Sequence, residues 1–231
     1  MLARSGGRLV CGYDARGHGE SSPAPDGLYG YPELVADLEA VLDDRGIDRC
    51  ALAGSSMGAA TAMAFALDRP DRVDALVQIT PAFDGEARTG SSSLESWDAR
   101  ADAIAAGDID RFVELTGVGS LPERFRESAR VAVRQRAERH LHPEAVAEAL
   151  RQVPRSSAFD GLDRLESVDV PVLVVGSRDD ADPEHPLDIA REYADRLPKA
   201  ELVVEDDGQP PLAWQGARLS KAIDAFLRQL S

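Results

Sequence analysis

The chain has 231 residues with 43% hydrophobic content, enough for one substantial core and at most a small inserted subdomain. Forty-one acidic against 26 basic residues give a formal charge of −15, which repels phosphate backbones and anionic membrane surfaces, so neither nucleic acid nor a membrane is an expected partner. Met1–Gly12 shows no apolar stretch with a small-residue cleavage site, and no later run approaches the ~18 apolar residues of a membrane span; a cytoplasmic protein is expected. Cys11 and Cys50 each sit in a short apolar run and read as two reduced core thiols.

Apolar runs alternate with segments of helical period, the pattern of βαβ units feeding a mostly parallel sheet with helices on both faces. Arg8–Tyr13 reads as a first strand, ending in the turn-rich Asp14-Ala-Arg-Gly-His-Gly19. Pro32 opens a helix with Leu34, Val35, Leu38, Val41 and Leu42 on one face, and Gly46 closes it. Cys50–Ala53 is a short strand that runs into Gly54-Ser-Ser-Met-Gly58, and Ala59–Leu67 is rich in helix formers. Pro70 ends that helix; strands are expected at Ala75–Ile79, Pro171–Gly176 and Ala200–Val204, with a closing helix over Leu212–Leu230. Residues 84–167 are polar, of helical period and without strand signal, and Gly90–Ser93 reads as a flexible joint. The organisation expected is a core of residues 1–83 and 168–231 with a helical cap inserted at 84–167.

A serine hydroxyl attacks a carbonyl only when it is exposed on a tight elbow, near a base, with N–H groups aimed at the developing oxyanion. Gly54-Ser55-Ser56-Met57-Gly58 meets the first need: the two glycines remove side chains that would clash, and strand and helix flank the turn as the chemistry requires. Ser56 is the candidate nucleophile, and the Met57 N–H, at a helix N-terminus, the candidate oxyanion donor. The competing reading is an ordinary glycine-rich turn. No dinucleotide or phosphate-loop glycine pattern and no metal-spaced His or Cys cluster occurs, so no cofactor and no metal are expected.

Tyr13–Ser21, the Gly54–Gly58 elbow and Pro171–Asp179 together resemble the α/β-hydrolase superfamily, and within it small-ester and enol-lactone hydrolases. The similarity is strongest at Arg8–Phe83 and Val170–Val204. It implies a triad acid in a Gly-x-x-Asp pattern after the penultimate strand, which falls on Asp179, with Asp180 and Asp182 as rivals. It implies a base histidine after the last strand, where this chain has Gln209, and an amide cannot take up the serine proton. His185 follows the acid too soon in the chain to sit readily opposite Ser56. His18 is expected to support the site, and His140 and His142 to lie on the cap surface, where a histidine swinging over Ser56 is a further possibility.

Such proteins also carry strands and a His-Gly oxyanion loop ahead of the Asp-x-Arg-Gly-His-Gly turn. Here Met1–Gly7 resembles the tail of a helix that follows that loop, so either the start lies too far downstream or these parts are absent. Absence would leave the strands ending at Tyr13 and Ala53 to pair directly, or leave an unfilled edge prone to association. The function these signals imply is a serine hydrolase acting on a small carboxylic ester or lactone. The alternative is a catalytically impaired hydrolase-fold protein that binds a small ligand or partner under its cap. Oligomeric state is not legible, and Trp97, Ile104, Phe112, Leu115, Phe125 and Val131 are expected mostly to pack the cap helices.

Overall fold

The computed structural model describes residues 7–180 and 182–230, so most of the Met1–Gly7 segment lies outside the described residues. Helix α1 spans Tyr31–Asp44 and ends before Gly46, whose φ of 63° reverses the chain. Strand β1 (Cys50–Ser55) leads into α2 (Met57–Asp68), and β2 is Val73–Ile79. Helices α3 (Ser91–Ala105), α4 (Ile109–Leu115), α5 (Glu123–Ala137) and α6 (Pro143–Gln152) follow. The chain then alternates through β3 (Val172–Val175), α7 (Leu187–Arg196), β4 (Ala200–Val203) and α8 (Gly216–Arg228).

The four strands form one parallel sheet in the order β1-β2-β3-β4. Its centre is dry, because parallel strands carry helices on their faces and so read as continuous apolar runs. Val73, Leu76, Val172, Val174 and Val175 are fully buried. On one face Ala75, Val77, Leu173 and Val175 pack against Leu212 and against Ile223 and Phe226 of α8. Helix α2 packs on β1 and β2, and α7 on β3 and β4.

Backbone contacts divide the chain into two compact units. The sheet unit comprises Met1–Gly12, Leu38–Gly85 and Ala158–Ser231; the helical unit comprises Tyr13–Asp37 and Glu86–Ser157, the division falling within α1. The helical unit has its own small cores, one around Ala101, Ile104, Ala137, Val146 and Ala147 and one around Val113, Val118, Leu121 and Ala129. Ile104 and Phe125 are buried there, whereas Val131 is exposed.

Three expectations are corrected. Arg8–Tyr13 is not a strand: residues 7–15 have no regular structure, Leu9 is 88% and Val10 54% exposed, and Cys11 is an exposed thiol rather than a core one. The physical reason is the ladder. An apolar run becomes a strand only where a neighbour satisfies its N–H and C=O groups, and among the described residues the sheet ends at β1, which pairs with β2 alone. Second, Ser91–Ser93 is not a joint but the first turn of α3, with Gly90 at its N-cap, since serine competes with helix in interiors and is tolerated at helix starts. Third, the last strands are shorter than read, with Gly176 and Val204 outside β3 and β4.

Candidate active site

Strained backbone stands at the elbow after β1 and at the end of β2. Ser56 has φ 51° and ψ −111°, and Thr80, at the end of the neighbouring β2, has φ 44°; they are the two non-glycine residues described with positive φ. For a β-branched threonine this is a genuine outlier, and each such residue costs about 1–3 kcal/mol unless its surroundings hold it. They do. The Ser56 N–H donates to Ile79 O (3.0 Å), and the Thr80 N–H donates to Val175 O (2.7 Å), extending the β1-β2-β3 ladder past its last residues. The Ser55 and Thr80 hydroxyl oxygens lie 3.4 Å apart. Ser56 O accepts from the Ala59 and Ala60 N–H groups, so α2 begins at once, and Met57 occupies its first position, where an N–H has no partner within the helix.

The two glycines of the elbow are not equivalent. A Cβ on Gly54 would run into the Gly58 backbone and come 2.6 Å from Ala59 N, so strand and helix approach too closely for any side chain there. A Cβ on Gly58 would meet nothing within 4 Å, which corrects the expectation that both glycines avoid a clash.

Two strands away, the turn after β3 is built around a buried carboxylate. Glu205, 2% exposed, accepts from the Arg178 N–H (2.7 Å), the Leu212 N–H (3.1 Å) and the Ser177 hydroxyl (3.2 Å). Arg178 Nε donates to Glu205 O in return (3.1 Å), so the connections after β3 and β4 are tied together. Gly176 lets α7 pack closely here, because a Cβ would press on the Leu187 side chain at 2.8 Å and on Ala190 at 3.1 Å of α7.

Asp179 is exposed and its Oδ1 accepts from the Leu187 N–H (2.8 Å), closing the N-terminus of α7, where Pro186 has no side-chain acceptor to offer. Asp182 is buried and its Oδ2 lies 2.9 Å from Nδ1 of half-buried His185. Gln209 is exposed in the turn after β4, its N–H donating to Asp206 O. Ser56, Asp179 and Gln209 therefore leave the same, C-terminal edge of the parallel sheet, but no hydrogen bond or ion pair joins them among the described residues. His18 lies in the helical unit, its Nδ1 3.1 Å from Arg16 O and its ring edge-on to His140 at 5.5 Å. His140 accepts from the Gly19 N–H (2.9 Å); burial first, then His18 and Arg136, hold its pKa below the ordinary histidine value.

Sequence reasoning missed Thr80, Glu205 and Gln78. Gln78 stands beside Gly54 in the ladder and is fully buried, and among the described residues neither Oε1 nor Nε2 has a partner. A glutamine inside Ala-Leu-Val-Gln-Ile was the one available signal. Among the described residues no group of three or more His, Cys, Asp or Glu side chains is placed to hold a metal ion, and no helix is long and apolar enough to cross a membrane.

A parallel sheet flanked by helices, in which β1 breaks through a strained serine directly into a helix, defines an α/β architecture with a sharp strand-to-helix elbow. Residues 2–217 match the family model described as the alpha/beta hydrolase fold, and the chain belongs to that family. It is 28% identical over 176 residues to RutD of Variovorax paradoxus, covering 76% of this chain and 65% of that protein, so it spans about two thirds of that relative's length. Among solved structures, a thermophilic esterase from Thermogutta terrifontis is 25% identical with a TM-score of 0.75, covering 94% of this chain and 78% of the other. The enol-lactonase from Burkholderia xenovorans LB400 is also 25% identical, with a TM-score of 0.72 over 94% of this chain and 79% of the other.

Proposed function

We propose that this protein is a serine hydrolase that cleaves a small carboxylic ester or lactone through an acyl-enzyme on Ser56, with residues 84–167 as its cap insertion. The observation that carries the reading is the backbone of Ser56. A non-glycine residue at φ 51°, held by a ladder bond on one side and a helix start on the other, is strain kept where a hydroxyl must stand clear of the sheet. The esterase and enol-lactonase likenesses support the substrate class.

In this reading Ser56 Oγ attacks the carbonyl carbon and the Met57 N–H receives the developing oxyanion, a donor whose removal costs ~10²–10³ in turnover elsewhere. Asp179 is the family's acid position, and Gln209 stands at the position of the base. A small-molecule substrate is the partner implied. A fluorophosphonate probe tests the reading: labelling of the wild-type chain, mapped to the Ser56 peptide and lost in Ser56→Ala, supports it, and absence of any Ser56 adduct sinks it.

One observation favours a second reading, a hydrolase fold that binds a ligand with impaired turnover. Gln209 is an exposed amide with no proton-accepting nitrogen. That reading expects thermal stabilisation by a small apolar ester with no release of acid, and a measurable turnover abolished by Ser56→Ala excludes it.

A further inference from the structure

We infer that the base missing from position 209 is supplied by His185, held by Asp182, so that the loop after β3 carries a complete acid–base pair. The inference rests on the Ser56 acyl-enzyme reading.

Asp182 is a carboxylate 7% exposed, which a fold keeps only where a partner compensates its burial. Its partner is His185 Nδ1 at 2.9 Å. A carboxylate only accepts, so Nδ1 carries the hydrogen, and the lone pair is left on Nε2. This is the tautomer a general base needs, fixed by the same kind of contact that orients a triad histidine. Backbone hydrogen bonds set the two residues relative to the start of the loop. The Asp182 N–H donates to Arg178 O and the His185 N–H to Asp182 O, and Arg178 is itself fastened to buried Glu205.

Asp179, by contrast, is spent on capping α7 and is exposed, and no histidine accompanies it. Position follows from the register. Ser55 pairs with Ile79 and Ile79 with Val175, so Ser56 and Gly176 leave the sheet at the same level. They are two strand spacings apart, about 10 Å. The Gly176–His185 loop thus emerges on the edge that carries the serine.

As Ser56 Oγ bonds to the carbonyl carbon, its proton passes to His185 Nε2 and the carbonyl π pair moves onto oxygen. When the tetrahedral adduct collapses, the bond to the leaving oxygen breaks with its electron pair. That oxygen takes the proton from Nε2 and departs as alcohol. Water then adds to the acyl carbon, giving a proton to Nε2, which returns it to Ser56 Oγ as the carboxylic acid leaves. Asp182 is a positioning residue: it touches no reacting atom.

The test uses the full chain and the rate at which a fluorophosphonate labels Ser56. The wild type labels; His185→Ala labels at least about a hundredfold more slowly, and added imidazole accelerates His185→Ala but not the wild type. His185→Gln, which can keep an N–H toward Asp182, is equally slow with an unchanged unfolding midpoint. Asp182→Asn slows labelling, and Asp182→Glu restores part of it. Equal rates in His185→Ala and the wild type overturn the inference while leaving Ser56 in place, as does slow labelling that imidazole leaves unchanged. An unlabelled wild type instead removes the Ser56 reading on which it rests.

Discussion

The buried polar side chains described all belong to the sheet unit, whereas exposed ion pairs occur in both units. In the sheet unit the telling polar contacts are buried: Glu205 beneath two connections, Asp182 beside His185, Gln78 and Thr80 inside the ladder. In the helical unit, guanidinium–carboxylate pairs link the helices from outside. Arg134 reaches Asp110, Arg151 reaches Asp102, and Arg155 reaches Asp98 at 2.8 Å, with every partner at least a third exposed or close to it. Exposed pairs of this kind contribute ~0–1 kcal/mol each, whereas a buried polar group costs several times that when unpaired. The difference teaches where the molecule is sensitive: buried packing and hydrogen bonding weigh most in the sheet unit, while in the helical unit acid acts on half-buried His140.

The largest effect that separates the two belongs to the sheet centre. Leu76→Ala, at a fully buried position of β2, lowers stability by about 2–5 kcal/mol in urea unfolding. Next comes a gain. Gln78→Met removes two unpartnered polar atoms while keeping the volume, and raises stability by about 1–3 kcal/mol; a loss instead would show that the amide is satisfied in solution.

Acid is the third probe. His140 is held below its ordinary pKa in the folded chain, so between that folded value and about 6.5 the unfolded state binds the extra proton. The stability associated with neutral His140 is complete above about 6.5 and is lost as pH falls toward the folded value. Urea midpoints at pH 7.5 and 5.5 give a smaller difference for His140→Gln than for the wild type. Equal differences would detach this histidine from the titration. Smallest is Arg151→Met, which breaks the links to Asp102 and Glu148 and changes stability by no more than about 1 kcal/mol.

How much of this was legible in the sequence follows physical lines. Helix α1, β1 and α2 were readable because helical period, Pro32, Gly46 and the elbow glycines are local signals. Arg8–Tyr13 was misread because strand formation depends on a neighbour, and apolar composition says nothing about whether one is there. Gly58 shows the same limit in miniature: its spacing was recognised, but the close approach that forbids a side chain occurs at Gly54. The Asp182–His185 contact was within reach, since a carboxylate and a histidine three residues apart before a helix can meet. What the spacing could not reveal was that Asp182 is buried and Asp179 engaged elsewhere. Thr80 and Glu205 gave no sequence signal, because a positive φ at one and burial at the other arise only when strands are assembled.

The backward-bent serine has a consequence for anyone seeking a hardier version of this molecule. Glycine at 56 adopts the same torsion without steric cost, so Ser56→Gly should melt at a higher temperature than its parent while surrendering its hydroxyl. Ser56→Ala keeps the Cβ and with it the tension. Selection for heat resistance alone would therefore act on this corner of the elbow.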